Sequence, residues 1–257
     1  MGVAFCPAVL SQAQLAPWVS RIDAQYERIE AARGQVSATG ISDLIPPGQR
    51  FAPTASSFTI GTILTDEELQ TLFTAIDAAR TGAWIRSTMS NGIAYDLTQS
   101  WVRRQYAPHR YPPLHAPHGW HQDGALGFDF LSHPGGRFPA DALLPMVTCW
   151  IALGPCGVEA PGLEIVTHRL ETLFAPCELV EEKVRARFGP KEFYRPAIEA
   201  GDAVLLRGDI LHRTLVKPEM MQDRTSIELR FFAAENLPVR LKGDRFVVFS
   251  EKGSVRA

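Results

Sequence analysis

Ala200-Gly201-Asp202-Ala203-Val204-Leu205-Leu206-Arg207-Gly208-Asp209-Ile210-Leu211-His212 reads as a strand, a Gly-Asp turn and a second strand that carries a histidine. The apolar run from Ala203 is too short for a typical helix and is bounded by turn dipeptides. The same texture continues through the second half of the chain. Strands are predicted over Trp101 to Tyr106, Met146 to Leu153, Leu163 to Thr167, Ala203 to Arg207, Ile210 to Val216, Thr225 to Phe232 and Arg245 to Phe249. One helix is predicted among them, from about Glu178 to Phe188, with Leu179, Val180, Val184 and Phe188 on one side and Gly189-Pro190 as its stop. Short β-runs broken by Pro, Gly and Asp predict a sandwich or barrel.

Toward the N-terminus the hydrophobic period changes from strand to helix. Ser11 with Gln14 forms a possible capping box, and Leu15, Trp18, Val19, Ile22, Tyr26 and Ile29 recur at helical spacing until Gly34, although Pro17 makes the first turn irregular or moves the start nearer to itself. Thr65 with Glu68 is a clearer box, followed by the stripe Leu69, Leu72, Phe73 and Ile76, with Gly82 after the end. Residues 35–60 read as loop. No repeat, low-complexity tract or linker divides the chain. The expectation is therefore one domain over 1–257, with helices and loops over 1–99 packed on a β core over 100–250.

The composition bounds the function classes. The chain has 257 residues, of which 46% are hydrophobic and 21% charged, so it can bury a core without disulfide staples and is not disordered throughout. A formal charge of -2 provides no overall basic field for nucleic acid or anionic lipid, and neither partner is expected. No run of about 18 apolar residues marks a membrane helix. Cys6, Cys149, Cys156 and Cys177 form no C-x-x-C pair, which favours a reduced cytoplasmic setting. Met1 to Cys6 lacks a basic region followed by a long apolar stretch, and Cys6 stands where a myristoylation signal needs Ser or Thr.

The chemistry begins at Trp120-His121-Gln122-Asp123-Gly124, where His121 and Asp123 project to the same side of an extended segment. Alone, such a pair is more often an ordinary loop histidine and aspartate. His212 supplies a third ligand. Two histidines and one carboxylate leave three positions of an octahedral iron(II) open, enough for a chelating cosubstrate and dioxygen, whereas a tetrahedral zinc has less use for that vacancy. Twelve residues beyond His212, Arg224 and Ser226 share a strand face and could grip one carboxylate together.

With these motifs the chain resembles the iron(II)- and 2-oxoglutarate-dependent dioxygenases of the phytanoyl-CoA hydroxylase-like family. The resemblance covers residues 100–232 and rests on His121-Gln122-Asp123, the strand Thr148 to Leu153, the segment Ala160 to Val166, the Gly201-Asp202 turn, His212 and Arg224-Thr225-Ser226. It implies a mainly β fold with flanking helices, a double-stranded β-helix (cupin-like jelly roll) whose mouth holds the metal. It further implies that His121, Asp123 and His212 bind iron, and that Arg224, helped by Ser226, holds the distal carboxylate of 2-oxoglutarate. The implied activity is decarboxylation of 2-oxoglutarate, with dioxygen, coupled to hydroxylation of a small organic molecule. Halogenating relatives replace the carboxylate of the triad by a small residue; Asp123 is present, so hydroxylation is favoured. Desaturation, cyclisation or epoxidation by the same chemistry is the alternative, and a cupin-like metal-binding protein or isomerase without cosubstrate is the rival of another class. The chain departs from the family at Val166-Thr167-His168-Arg169, where relatives usually read Pro-Gly-Ser-His, which leaves His168 without an assigned role.

Several residues are weighed against blander readings. Arg230 shares parity with Arg224, but six residues put them roughly 20 Å apart along a strand, so one carboxylate cannot use both. Arg224 is preferred because Ser226 accompanies it, and Arg230 is read as a surface or interface charge paired with Glu228. Arg103 and Gln105 share one strand face and Arg104 takes the other; Gln105 and inward-facing Thr148 are candidates for cosubstrate contact, Arg103 for substrate, and Trp150 is read as core. His115 and His118 are read as loop residues, since Pro112, Pro113 and Pro117 forbid a regular helix there. The loops Tyr106 to Trp120 and Leu131 to Ala140 are placed over the barrel mouth, with Tyr111, Trp120 and Phe138 as candidate substrate contacts. The acid-rich segment Glu178 to Lys183 is read as a solvated face.

Overall fold

In the computed structural model the described residues are 2–33, 51–54, 56–61, 64–89, 93–96, 101–111, 117–127, 143, 145–170, 172–233, 246–249 and 255–256. In chain order the elements are β1 (Val3–Cys6), α1 (Gln12–Arg33), β2 (Phe51–Pro53), β3 (Ser57–Gly61), α2 (Asp66–Ala78), α3 (Arg80–Thr88), β4 (Ile93–Asp96), β5 (Trp101–Gln105), β6 (His121–Gln122), β7 (Met146–Ala152), β8 (Gly162–Val166), α4 (Glu181–Arg187), β9 (Phe193–Tyr194), β10 (Ala203–Arg207), β11 (Leu211–Leu215), β12 (Arg224–Ala233), β13 (Phe246–Phe249) and β14 (Val255–Arg256).

All strand pairings are antiparallel and form two sheets. The larger runs β1-β10-β7-β12-β4-β13-β14, with β5 also on β12 and then β3 and β2; the smaller runs β6-β11-β8-β9. Strand alternation sorts the side chains into layers. On β7, Val147, Cys149 and Ile151 join Ile227, Leu229 and Phe231 of β12 in a core shared with the helical residues Leu15, Ile22, Leu72 and Ile76. The opposite face of the same sheet gives Trp150, Ala152, Val204 and Leu206 to a second cluster, which meets Leu163 and Ile165 of the small sheet. The outer face of the small sheet, with Val166 and Leu211, is covered by Val184 of α4 and by Phe174 and Phe188. Helices thus back the large sheet, and the site lies between the two sheets. This is a jelly roll.

The structure corrects the sequence reading in particular places. The helix α1 begins at Gln12 and runs through Pro17, with the Ser11–Gln14 box formed: the Ser11 N–H donates to Gln14 Oε1 at 2.9 Å and the Gln14 N–H to Ser11 Oγ at 3.4 Å. Burial of Leu15, Trp18, Ile22, Tyr26 and Ile29 against the sheet compensates the missing proline donor. Tyr26 anchors this helix, its hydroxyl lying 3.0 and 2.8 Å from the carbonyl oxygens of Phe58 and Val102. The Thr65–Glu68 box caps α2, but Gly82 lies within α3 rather than after a terminus. A Cβ there would come 2.7 Å from the Asp77 backbone, so glycine lets α3 fold back on the end of α2. The segment read as loop over 35–60 contains β2 and most of β3, β3 recruited by pairing with β5 and β2 by pairing with β3; strands this short carry little periodic signal. No helix among the described residues is long and apolar enough to cross a membrane.

Candidate metal centre

The strand β6 is two residues long, and its pairing sets the site. His121 lies opposite His212 in the β6–β11 register, and the two imidazole centroids are 4.2 Å apart. Gln122 points the other way: its Nε2 donates to the carbonyls of Asp209 at 2.9 Å and Thr172 at 3.0 Å, and its Oε1 accepts from the Phe174 N–H at 2.8 Å. Asp123 then opens a 3-10 turn, Asp123–Gly127. The Gly124 N–H donates to the Gly208 carbonyl at 2.8 Å, docking this turn on the β10–β11 connection. A Cβ on residue 124 would sit 2.8 Å from the same oxygen, so the close approach requires glycine.

One ligand atom each from His121, Asp123 and His212 falls within 4.8 Å of the others. Each histidine Nε2 lies 3.8 Å from a different oxygen of Asp123, too far for a hydrogen bond and suited to a cation between them. Nδ1 of His121 lies 2.7 Å from the Gly119 carbonyl, and Nδ1 of His212 lies 3.0 Å from that of Ile210. A carbonyl only accepts, so each Nδ1 carries the proton and each Nε2 turns a lone pair toward Asp123. Asp123 is itself held: the Thr148 hydroxyl donates to Oδ2, and Arg230 Nη2 stands 3.8 Å from Oδ1. Burial pushes the Asp123 carboxyl up, but His212, Arg230, His121 and the Thr148 bond outweigh it and hold the group well below the usual carboxylate range.

A second constellation lies along the inner face of β12. Arg224 is 2% exposed and Ser226 fully buried. Arg224 Nη1 donates to the Gly162 carbonyl at 3.3 Å, and its guanidinium carbon stands 5.2 Å from the Trp150 ring centroid. Arg224 Nε and Ser226 Oγ are buried and have no hydrogen-bond partner among the described residues. Burial lowers the Arg224 pKa to about 10, still leaving it cationic at neutral pH. Such orphaned donors fit a missing anion.

The other candidates fall in varied places. Thr148 binds the carboxylate of Asp123 rather than standing free for a cosubstrate. Gln105, opposite Arg224 in the β5–β12 register, donates to the Ser56 carbonyl at 2.7 Å and leaves its Oε1 buried without a partner. Arg103 lines the pocket and pairs with Glu228, Nε to Oε1 at 2.9 Å. Trp120 does not face the pocket: it sits on the outer side of the small sheet, its indole donating to Glu181 Oε2 at 2.6 Å. Tyr111 packs at the margin of the helix-side core, and Phe138 lies outside the described residues, as does the loop 131–140. His168 is exposed, 3.2 Å from Glu192, and is not among the residues that converge with Asp123.

Two residues read as bystanders line the pocket instead. The His118 ring lies 3.8 Å, centroid to centroid, from that of His121, and Arg230 faces Asp123 rather than the surface. The inward turn of Arg230 follows from alternation, since Ile227, Leu229 and Phe231 take the helix-side core and Arg224, Ser226, Glu228 and Arg230 the other face. Alternation alone does not say whether a polar face meets solvent or a second sheet. In the acid-rich segment Glu182 and Lys183 are exposed, as read, while Glu181 also accepts from Arg185, Arg213 and Trp120.

No protein-family model matches the chain, and no curated protein sequence matches it. Solved structures do. The carbocyclase SnoK from nogalamycin biosynthesis, described as non-heme and alpha-ketoglutarate-dependent, shares 14% identity over 91% of this chain and 80% of its own, with a TM-score of 0.58. EctD from S. alaskensis with bound Fe shares 15% identity over 91% and 74%, with a TM-score of 0.56. HygX from Streptomyces hygroscopicus, with nickel, 2-oxoglutarate and hygromycin B bound, shares 11% over 91% and 83%, with a TM-score of 0.52. These likenesses show the fold, the double-stranded β-helix form of the jelly roll. The chain is a protein of that class in which two histidines and one aspartate converge between the sheets.

Proposed function

We propose that this chain is a non-haem iron(II) oxygenase of the phytanoyl-CoA hydroxylase-like type, coupling decarboxylation of 2-oxoglutarate to hydroxylation of a small organic molecule. The observation that carries the reading is a convergent His-Asp-His set sharing a pocket with buried Arg224, whose Nε, like the nearby Ser226 hydroxyl, has no hydrogen-bond partner among the described residues. A ferrous ion with 2-oxoglutarate and dioxygen supplies the oxidant when bound, the oxo acid leaving as succinate and carbon dioxide. His121, His212 and Asp123 would hold the ion on one side and leave its other positions free. The Gly119 and Ile210 carbonyls keep both histidines in the ligating tautomer, and Thr148 keeps the carboxylate turned inward. Arg224 and Ser226 take the distal carboxylate. Trp150, Leu163 and Leu206 supply apolar wall to the same pocket and limit water there. Iron in EctD and 2-oxoglutarate in HygX accord with this use of the fold, and the hygromycin B in HygX supports a small-molecule substrate.

The test is anaerobic addition of iron(II) and 2-oxoglutarate to the full chain, followed by air. A weak visible charge-transfer band and then stoichiometric succinate are expected, and His212→Ala should remove both. A wild-type protein that forms no band and releases no succinate would end this reading and leave a cupin-like binding protein or isomerase.

A further inference from the structure

The pocket holds more positive charge than its own ligands use. Three guanidiniums, of Arg103, Arg224 and Arg230, line it together with two carboxylates, of Asp123 and Glu228. Arg213 also reaches the lining, but it is bound on its far side to Glu164 and Glu181. Arg103 and Glu228 neutralise each other at 2.9 Å. Among the described lining residues, Arg224 and Arg230 then outnumber the remaining carboxylate, Asp123.

On the reading above, a divalent ion and the 2-oxoglutarate dianion cancel. Both carboxylates of the cosubstrate are also accounted for, one at the metal and one at Arg224. Arg230 is then left over. Six positions along β12, roughly 20 Å of strand, separate its backbone from that of Arg224, so the two guanidiniums reach the one pocket from different points of the strand. Its side chain is 12% exposed, its Nε is buried without a hydrogen-bond partner, and among the described residues its ion contact is Asp123 at 3.8 Å, the carboxylate a metal would occupy. The fork of a guanidinium this buried fits an oxyanion.

We infer that Arg230 receives a carboxylate of the substrate, so that this site acts on an organic acid anchored by its anionic end beside the metal. The inference rests on the oxygenase reading and adds the substrate class. It also sets direction: carbon within a few bonds of the carboxylate would lie nearest the metal ligands, because Arg230 lies 3.8 Å from Asp123.

The experiment compares matched probes on the anaerobic protein loaded with iron(II) and 2-oxoglutarate: butanoate and butanamide, cyclohexanecarboxylate and its amide, benzoate and benzamide. Binding is read by calorimetry and by perturbation of the charge-transfer band, in wild type, Arg230→Gln and Arg230→Lys, each variant checked for its thermal midpoint. At least one acid should bind about tenfold or more tighter than its amide, as expected for a charge-assisted pair. Arg230→Gln should abolish that preference, Arg230→Lys should retain part of it, and 2-oxoglutarate affinity should change little in either. Absence of any acid preference in wild type, including absence of binding, overturns the inference. So does a Gln variant that loses 2-oxoglutarate while keeping the acid preference, which would give Arg230 to the cosubstrate. Failure of the oxygenase reading is distinct, since wild type would then show no band; the acid and amide probes are in that case compared by calorimetry on the metal-free protein, and the same acid preference is required.

Discussion

Two buried carboxylates lie on opposite sides of the small sheet, one residue apart in their β11 neighbours, and they are built differently. Glu164 meets Arg213 on the outer face, and both its oxygens are taken: Oε2 accepts from Arg185 Nη2 at 2.6 Å and Arg213 Nε at 2.7 Å, Oε1 from Arg195 Nε at 2.7 Å. Asp123 meets His212 on the inner face, where both imidazoles and Arg230 stand off at 3.8 Å and, among the described residues, Thr148 alone donates. The first cluster is closed on itself; the second is open by the width of an ion. Composition does not separate them, since each is an acid among basic residues. Distance does. A cluster satisfied at 2.6–2.7 Å holds elements together, while one whose lone pairs face a common gap is arranged for something that arrives.

Substitutions should break this contrast in different observables. The largest effect is expected from His212→Ala, with complete loss of the iron–2-oxoglutarate band and of succinate release, measured spectroscopically, while the urea midpoint moves modestly. Glu164→Ala should do the reverse, costing about 3–5 kcal/mol of stability in urea denaturation because three guanidiniums lose their shared acceptor. Next comes Arg224→Ala, for which 2-oxoglutarate affinity should fall about a hundredfold by calorimetry, near 2.7 kcal/mol, with metal affinity nearly unchanged.

The closed cluster should also respond to acid. Burial would raise the Glu164 pKa, but its hydrogen bonds to Arg185 and Arg195 and the charge of Arg213 outweigh that and lower it. A lowered folded value means the stabilisation is complete above the ordinary unfolded value, about 4.3, and is lost as pH falls through the folded one. The gap in urea midpoint between wild type and Glu164→Gln should therefore be widest near neutrality and narrow below about pH 4. The smallest effect is expected from Thr148→Val, about a tenfold loss of metal affinity in a chelator competition, since the carboxylate loses an orienting bond but not its charge.

Much of this was legible in the chain because it depends on neighbours in sequence. Strand alternation placed Thr148 and Trp150 together, the Thr65–Glu68 box set a helix start, and the i, i+2 spacing of His121 and Asp123 put two ligands on one side. What failed depended on which surface covers a face. Trp120 was read toward the mouth, yet β6 is so short that one residue of alternation turns its indole to Glu181. Arg230 was read as a surface or interface charge because a polar face against a second sheet has the same pattern as a polar face against water. The strands β2 and β3 were invisible for a related reason: segments this short gain their structure from the partner they pair with rather than from their own propensity.

By itself the sequence determined which residues are chemically able to act: two imidazoles, a carboxylate, a guanidinium and a hydroxyl on strands of readable parity. The tertiary structure alone decided which of the many charged groups stay unsatisfied, because satisfaction depends on distances between residues as far apart as Asp123 and Arg230. Side-chain period is a property of the local backbone, whereas desolvation and partner geometry arise when one sheet closes over another.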